Sequence, residues 1–171
     1  MAPPPVTQPG APPLDCPFCR IVAGTAPARL VGAGPEVVAF LPLRPVHPGH
    51  VLVVPRRHLA DIWDLDEATA TAVSRTVLEV AHAVRAVFRP DGLNVIQSSG
   101  SAATQTVPHL HVHVVPRFAN DRMGPIWPAP ADGTPAELDD SARRLSEALQ
   151  HGHDDDRLGE RETAVEEGDR Q

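Results

Sequence analysis

Residues 109–115 read His-Leu-His-Val-His-Val-Val, and this alternation constrains the fold more than any other stretch of the chain. Successive side chains of an extended strand point to opposite faces. A strand here predicts His109, His111 and His113 on one face, with Leu110, Val112 and Val114 on the other. The apolar face can close a core. The other face presents three imidazoles, which titrate near neutral pH and serve as nucleophiles, proton carriers or metal ligands. The run is internal and interleaved with Leu and Val, unlike an expression tag.

A chain of 171 residues predicts one domain with tails. Seven of its 20 prolines fall in residues 1–17, so residues 1–14 read as a disordered proline-rich leader. Residues 15–149 read as the folded domain with a C-terminal extension, and residues 150–171 as a disordered acidic tail. Residues 151–171 carry eight acids against three arginines, which is most of the net charge of −7. The acidity therefore says little about the active surface.

The element pattern places the histidines in a sheet. Residues 16–23 predict a knuckle and a short helical turn ended by Gly24. Strands are expected at 29–32 and 36–41, joined through Gly-Ala-Gly-Pro, and at 50–54. Val73, Val77, Val80, Val84 and Val87 recur at helical steps and predict a helix over 66–89, capped by Asp64 or Asp66. Strands at 93–97 and 109–115 follow, and a further helix is expected over 136–149. The order β-β-β-α-β-β predicts an α+β fold, a mainly antiparallel sheet of about five strands with one long helix packed on it.

Composition removes several classes. No apolar run is long enough for a spanning helix, and the N-terminus lacks the regions of a signal peptide. The two cysteines lie in one Cys-x-x-Cys, which does not suggest a disulfide-stapled secreted domain, so a cytoplasmic protein is expected. All 15 basic residues are Arg, which leaves no lysine for a Schiff base. No basic stripe is interleaved with aromatics, so neither nucleic acid nor membrane is an expected partner.

Two further segments carry chemistry. Residues 98–106, Ser-Ser-Gly-Ser-Ala-Ala-Thr-Gln-Thr, form a small-residue loop whose backbone N–H groups can gather around an anion. Cys16-Pro-Phe-Cys19 supplies half of a tetrahedral zinc site. A redox pair or two inert thiols are the other readings, and a redox pair belongs at a strand-to-helix junction of a βαβ unit, which this is not. His47, His50 and His58 surround the third strand and read as surface or site residues alike. His151 and His153 in the tail receive no catalytic role.

The chain resembles the histidine triad (HIT) family, whose signature is His-φ-His-φ-His-φ-φ with φ apolar. Residues 109–115 fit at every position. The likeness extends over roughly residues 15–128, through Cys16-Pro-Phe-Cys-Arg-Ile-Val-Ala-Gly, Pro48-Gly-His-Val-Leu-Val-Val-Pro, Gly92-Leu-Asn, Gln105-Thr-Val and Pro116-Arg. It is nearest to the small bacterial branch that carries Cys-x-x-Cys.

The resemblance implies a HIT-like fold and a nucleotide hydrolase. It would act on the α-phosphate of nucleoside phosphoramidates, nucleotidyl adducts or dinucleoside polyphosphates. His111 would be the nucleophile, forming a nucleotidyl-histidine. The His109 carbonyl would set its tautomer, and His113 would serve the phosphate and the leaving group. Ser98, Gln105 and Thr106 would bind the phosphate. A structural zinc would be held by Cys16, Cys19, His58 and His109, with His50 as the alternative to His58. A homodimer is implied, with Trp127-Pro128 near the partner's site. Two positions depart from the family: Pro42 where an Asp or Asn commonly meets the ribose, and Ser98 where an Asn is common. Thr104 stands where Gly is common. Other readings are a nucleotidyltransferase or phosphorylase using the same intermediate, a nucleotide-binding regulatory protein with little turnover, and, lower, a metallohydrolase liganded by the three histidines.

Overall fold

The valine steps seen in the sequence do form the long helix. In the computed structural model, which describes residues 15–124, 126 and 133–150, α2 spans Glu67–Phe88. Asp66 caps it by accepting from the Thr69 N–H at 2.8 Å, and Arg89 ends it in the left-handed region before Pro90. Asp64 does not cap the helix; it accepts instead from the Ala60 N–H at 3.1 Å in the preceding turn.

Five antiparallel strands make one sheet: β1 (Arg29–Ala33), β2 (Val37–Leu41), β3 (Val51–Pro55), β4 (Gly92–Gln97) and β5 (Val112–Arg117). Their order is β1-β2-β3-β5-β4. The expected α+β class, with a long helix packed on the sheet, is what the chain adopts. Strict alternation sorts the two faces. Val37, Ala39, Val51, Val53, Val112 and Val114 pack against Val73, Val80 and Val84 of α2. Val38, Phe40, Leu52 and Val54 face the other way, onto Cys16 and Phe18 of the first turn and of α1 (Pro17–Val22). Because β2 and β3 are covered on both faces, they read in sequence as unbroken apolar runs.

The histidine strand starts later than its alternation predicts. β5 begins at Val112, and residues 109–111 approach it outside the ladder. The Leu110 N–H donates to the Leu59 carbonyl at 2.6 Å rather than to a strand neighbour. The facing survives: Leu110, Val112 and Val114 are buried, and the imidazoles lie on the α1 side. Gly49, at φ 88°, turns the chain into β3 where a Cβ would meet the Phe88 ring at 2.6 Å.

The chain divides into two compact units, Met1–Met123 and Gly124–Gln171. In the second, a helix covers residues 135–150, close to the expected 136–149. Thr134 and Glu137 cap it reciprocally, with the Glu137 carboxylate accepting from the Thr134 N–H and hydroxyl. The leader at 1–14, the tail beyond residue 150 and the Trp127-Pro128 segment lie outside the described residues. No described helix is long and apolar enough to cross a membrane.

Candidate functional site

Antiparallel pairing decides which histidines meet. Val51 of β3 lies opposite Val114 and Val53 opposite Val112. His50, just before Val51, is thereby carried toward His113. His58, just after β3, is carried toward His109.

At the His58 end, four side chains converge. The ligand atoms of Cys16, Cys19, His58 and His109 all lie within 4.8 Å of one another. His58 Nδ1 to His109 Nδ1 is 3.3 Å, Cys19 Sγ to His58 Nδ1 is 3.3 Å, and both sulfurs are 3.5 Å from His109 Nδ1. A tetrahedral ion with metal–nitrogen bonds of about 2.05 Å and metal–sulfur bonds of about 2.3 Å requires N···N near 3.3 Å and S···N near 3.6 Å. The His58–His109 pair and the three cysteine–histidine pairs given above are close to these separations. The tautomer agrees: the His109 Nε2–H donates to the Pro55 carbonyl at 2.9 Å, so Nδ1 presents a lone pair to the sulfurs. Burial and the adjoining Cys16 push the Cys19 thiol up to about 11. A bound metal would deprotonate the thiol. These four residues can hold a metal ion.

His111 comes next along the chain. Its Nδ1–H donates to the His109 carbonyl at 2.7 Å, which leaves Nε2 unprotonated. The Phe18 ring stands edge-on to the imidazole, with centroids 5.2 Å apart. Burial lowers the His111 pKa, so the neutral, nucleophilic form prevails near pH 7.

His113 is held through His50. The Val46 N–H donates to His50 Nδ1 at 3.2 Å, which places the proton of neutral His50 on Nε2. That Nε2–H then donates to His113 Nδ1 at 2.9 Å. Neutral His113 therefore carries its remaining proton on Nε2. The His111 and His113 rings are 5.0 Å apart. The sequence left His50 open as a surface residue or a metal ligand; the structure removes it from the cysteines and makes it the support of His113.

Burial first, then the neighbouring His111 and His50, hold His113 down to about 4, and burial lowers His50 as well. The unfolded chain takes up protons as pH falls through 6.5, whereas the folded chain excludes them until about pH 4. This stability is fully present above about pH 6.5 and is lost between there and 4. The urea midpoint should fall over that window, with a shallower slope in His113→Asn. A midpoint independent of pH would contradict this assignment.

The imidazoles of His50, His111 and His113 open into a cleft of about 1150 Å³. Phe40, Leu41, Leu43 and Leu52 give it an apolar wall. Ser98, Gln105 and Thr106, the residues that the resemblance implies for the phosphate, all line it. Gln105 has a structural task too. Its Oε1 accepts from the Gly100 N–H at 2.7 Å, and its Nε2 donates to the Ala60 and Val107 carbonyls at 2.7 and 3.1 Å. Thr104 adopts φ 69°, a region that favours glycine, so its β-branched side chain is accommodated at some strain.

Sequence reasoning missed one anchor. Asp121, almost fully buried, accepts from the Arg117 guanidinium at 2.6 and 2.8 Å and from two backbone N–H groups of its own turn. Arg117 also donates to Asn94 on the neighbouring strand at 2.6 Å. The guanidinium holds the Asp121 carboxyl well below the usual carboxylate range. The network fixes the turn after β5, and its only sequence signal is the i,i+4 spacing of Arg117 and Asp121.

A model of the HIT domain matches residues 23–120. The chain belongs to the HIT family. It is 34% identical over 137 residues to the protein called hit of Bacillus subtilis, an alignment covering 79% of this chain and 94% of that one. A zinc-bound histidine triad family protein from Mycobacterium smegmatis superposes with a TM-score of 0.62 at 32% identity, covering 79% of this HIT chain and 98% of its own. A histidine triad nucleotide-binding protein from Candida albicans gives 0.71 at 26% identity, with 80% and 99% covered.

Proposed function

We propose that this HIT protein is a nucleotide hydrolase that works through a nucleotidyl-histidine at His111. One observation carries the reading: the His109 carbonyl fixes the proton of His111 on Nδ1 at 2.7 Å, so the bare Nε2 faces the cleft beside His113. The likeness to a nucleotide-binding histidine triad protein supports a nucleotide as the occupant.

The reaction balances with the groups at hand. The His111 Nε2 lone pair attacks the α-phosphorus, and the bond to the leaving group breaks. The leaving atom accepts the His113 Nε2–H hydrogen bond and departs with a proton from solvent, so the His113–His50 pair stays neutral beside the newly cationic nucleotidyl-histidine. Water then attacks the same phosphorus, the phosphorus–nitrogen bond breaks, and the water proton goes to solvent. The 98–106 loop, braced by Gln105, and the hydroxyls of Ser98 and Thr106 would stabilise charge on the phosphoryl oxygens.

The metal of the Cys16–Cys19–His58–His109 cage is read as zinc, from the two-sulfur, two-nitrogen donor set and the zinc-bound relative. Bound there, zinc would lock the segment whose carbonyl orients His111. Free thiols fit a reducing, cytoplasmic setting. A homodimer is part of the reading: β4 leaves an open sheet edge, with Val95 exposed on it.

The test is a substrate panel of adenosine 5′-phosphoramidate and dinucleoside polyphosphates, with products separated by chromatography. A nucleoside monophosphate is the expected product. A nucleoside diphosphate formed on adding inorganic phosphate would establish a phosphorylase instead. Tight binding without turnover would leave a regulatory binder.

A further inference from the structure

The turn before β3 holds a buried imidazole nitrogen that the chemistry at His111 does not use. His47 Nε2 is buried, and among the described residues no group meets it with hydrogen-bond geometry. It lies 3.5 Å from Asp121 Oδ2. The His47 ring stands edge-on to Phe118, with centroids 5.6 Å apart. A lone pair on Nε2 would face the carboxylate, so the ring carries a proton there and the contact is attractive.

Asp121 does not need this contact. A carboxylate offers about four lone-pair sites. Arg117 Nε and Nη2 donate to Asp121 at 2.6 and 2.8 Å, and the Phe118 and Met123 N–H groups each donate at 3.1 Å. His47 comes fifth and is held by charge alone. The dependence runs the other way. Asp121 is fixed by its own turn, whereas the turn before β3 contains Pro45 and Pro48, which have no N–H to tie it down. Within it the His50 N–H donates to the His47 carbonyl at 3.1 Å.

This turn sets a tautomer. The Val46 N–H donates to His50 Nδ1 at 3.2 Å, a length that tolerates little displacement. The His50 Nε2–H in turn donates to His113 Nδ1 at 2.9 Å. If Val46 moves away, the His50 proton is free to sit on Nδ1. The bond between the rings then reverses, with His113 Nδ1–H donating to His50 Nε2. His113 Nε2 is left bare, and the leaving atom loses its donor.

We propose that His47 is a positioning residue: its contact with Asp121 holds the turn that keeps the His50 proton on Nε2, and thereby the His113 proton toward the leaving group. The inference rests on the reading of His111 as nucleophile.

NMR of the ring nitrogens tests it in the full chain labelled with ¹⁵N-histidine, near pH 7, where burial keeps His50 neutral. His50 is assigned by the signals lost in His50→Ala. The parent and His47→Gln, whose amide can donate to Asp121, should show the His50 proton on Nε2. His47→Phe keeps a ring against Phe118 and His47→Leu does not; both lack the donor, and both should move the proton toward Nδ1. Turnover should divide in the same way. For adenosine 5′-phosphoramidate, whose leaving group is basic, the Phe and Leu variants should lose about tenfold or more in kcat, with KM within about twofold. For the 4-nitrophenyl ester of AMP, whose leaving group departs unaided, kcat should change by less than about twofold. His47→Gln should restore turnover, and His47→Phe should add nothing in a His50→Ala background. Loss of packing alone would lower both substrates equally.

A His50 proton still on Nε2 in the folded Phe and Leu variants overturns the inference. So do equal losses on both substrates, or no rescue by glutamine. A parent chain that turns over neither substrate overturns the nucleotide reading alone, because the nitrogen signals still decide where the His50 proton lies.

Discussion

His111→Ala is expected to lower kcat/KM toward adenosine 5′-phosphoramidate by at least about 10⁴-fold, the scale seen when a covalent nucleophile is removed. The Nε2 lone pair is the only part of the proposed chemistry with no substitute. His113 is 5.0 Å from it by ring centroids, but its Nδ1 is engaged by His50 and its Nε2 carries the proton. Acid quenching during turnover should trap one nucleotidyl group on the wild-type chain, at His111 by peptide mass, and none on the variant. The imidazole is buried against Phe18, so alanine leaves a small void. His111→Asn, which fills more of that space, separates lost chemistry from lost packing and should be equally inactive. Turnover retained in either variant, or a label on another residue, would end the covalent mechanism.

Much of this arrangement is legible in the sequence, for reasons that differ by element. The valines at 73, 77, 80 and 84 announce α2 because one helical face must cover one sheet face. The alternation at 109–115 announces facing, since the side-chain period of extended backbone is two whether or not the ladder has begun. It does not announce where pairing starts. The Leu110 N–H goes to Leu59, a residue 51 positions earlier, and no local pattern encodes that bond.

The choice between His50 and His58 shows the same boundary. Each flanks β3, and as isolated residues they are equivalent. Only the antiparallel register of β3 on β5 sends one to each end of the histidine row. Once that pairing is known, the cysteines at the His109 end can reach only His58, and His113 can reach only His50.

The second large effect concerns the metal cage. Protein purified without chelators should contain about one zinc per chain. Removing it should lower the thermal midpoint by roughly 15 °C. A ligand present at a thousandfold excess over its dissociation constant stabilises by about 4 kcal/mol, and each kcal/mol shifts a domain of this size by about 4 °C or more. The protein has two apolar clusters of its own, so the metal-free chain should lose stability rather than fail to fold, unlike a zinc finger. Two substitutions separate the two ends of β3. His58→Ala removes one of four ligands and should lose the metal, while His50→Ala should retain it and impair turnover through His113. Activity of the stripped protein should fall only in proportion to the ordering of residues 109–111, since the ion would contact His109 and not the reacting phosphate. Complete loss of activity on chelation, with the fold intact, would favour a metal-catalysed hydrolysis over attack by His111. Protein that contains no metal as isolated, and gains no stability when zinc is added, would remove the cage from the account of how His111 is oriented. The His109 carbonyl and the Pro55 hydrogen bond would then hold it unaided.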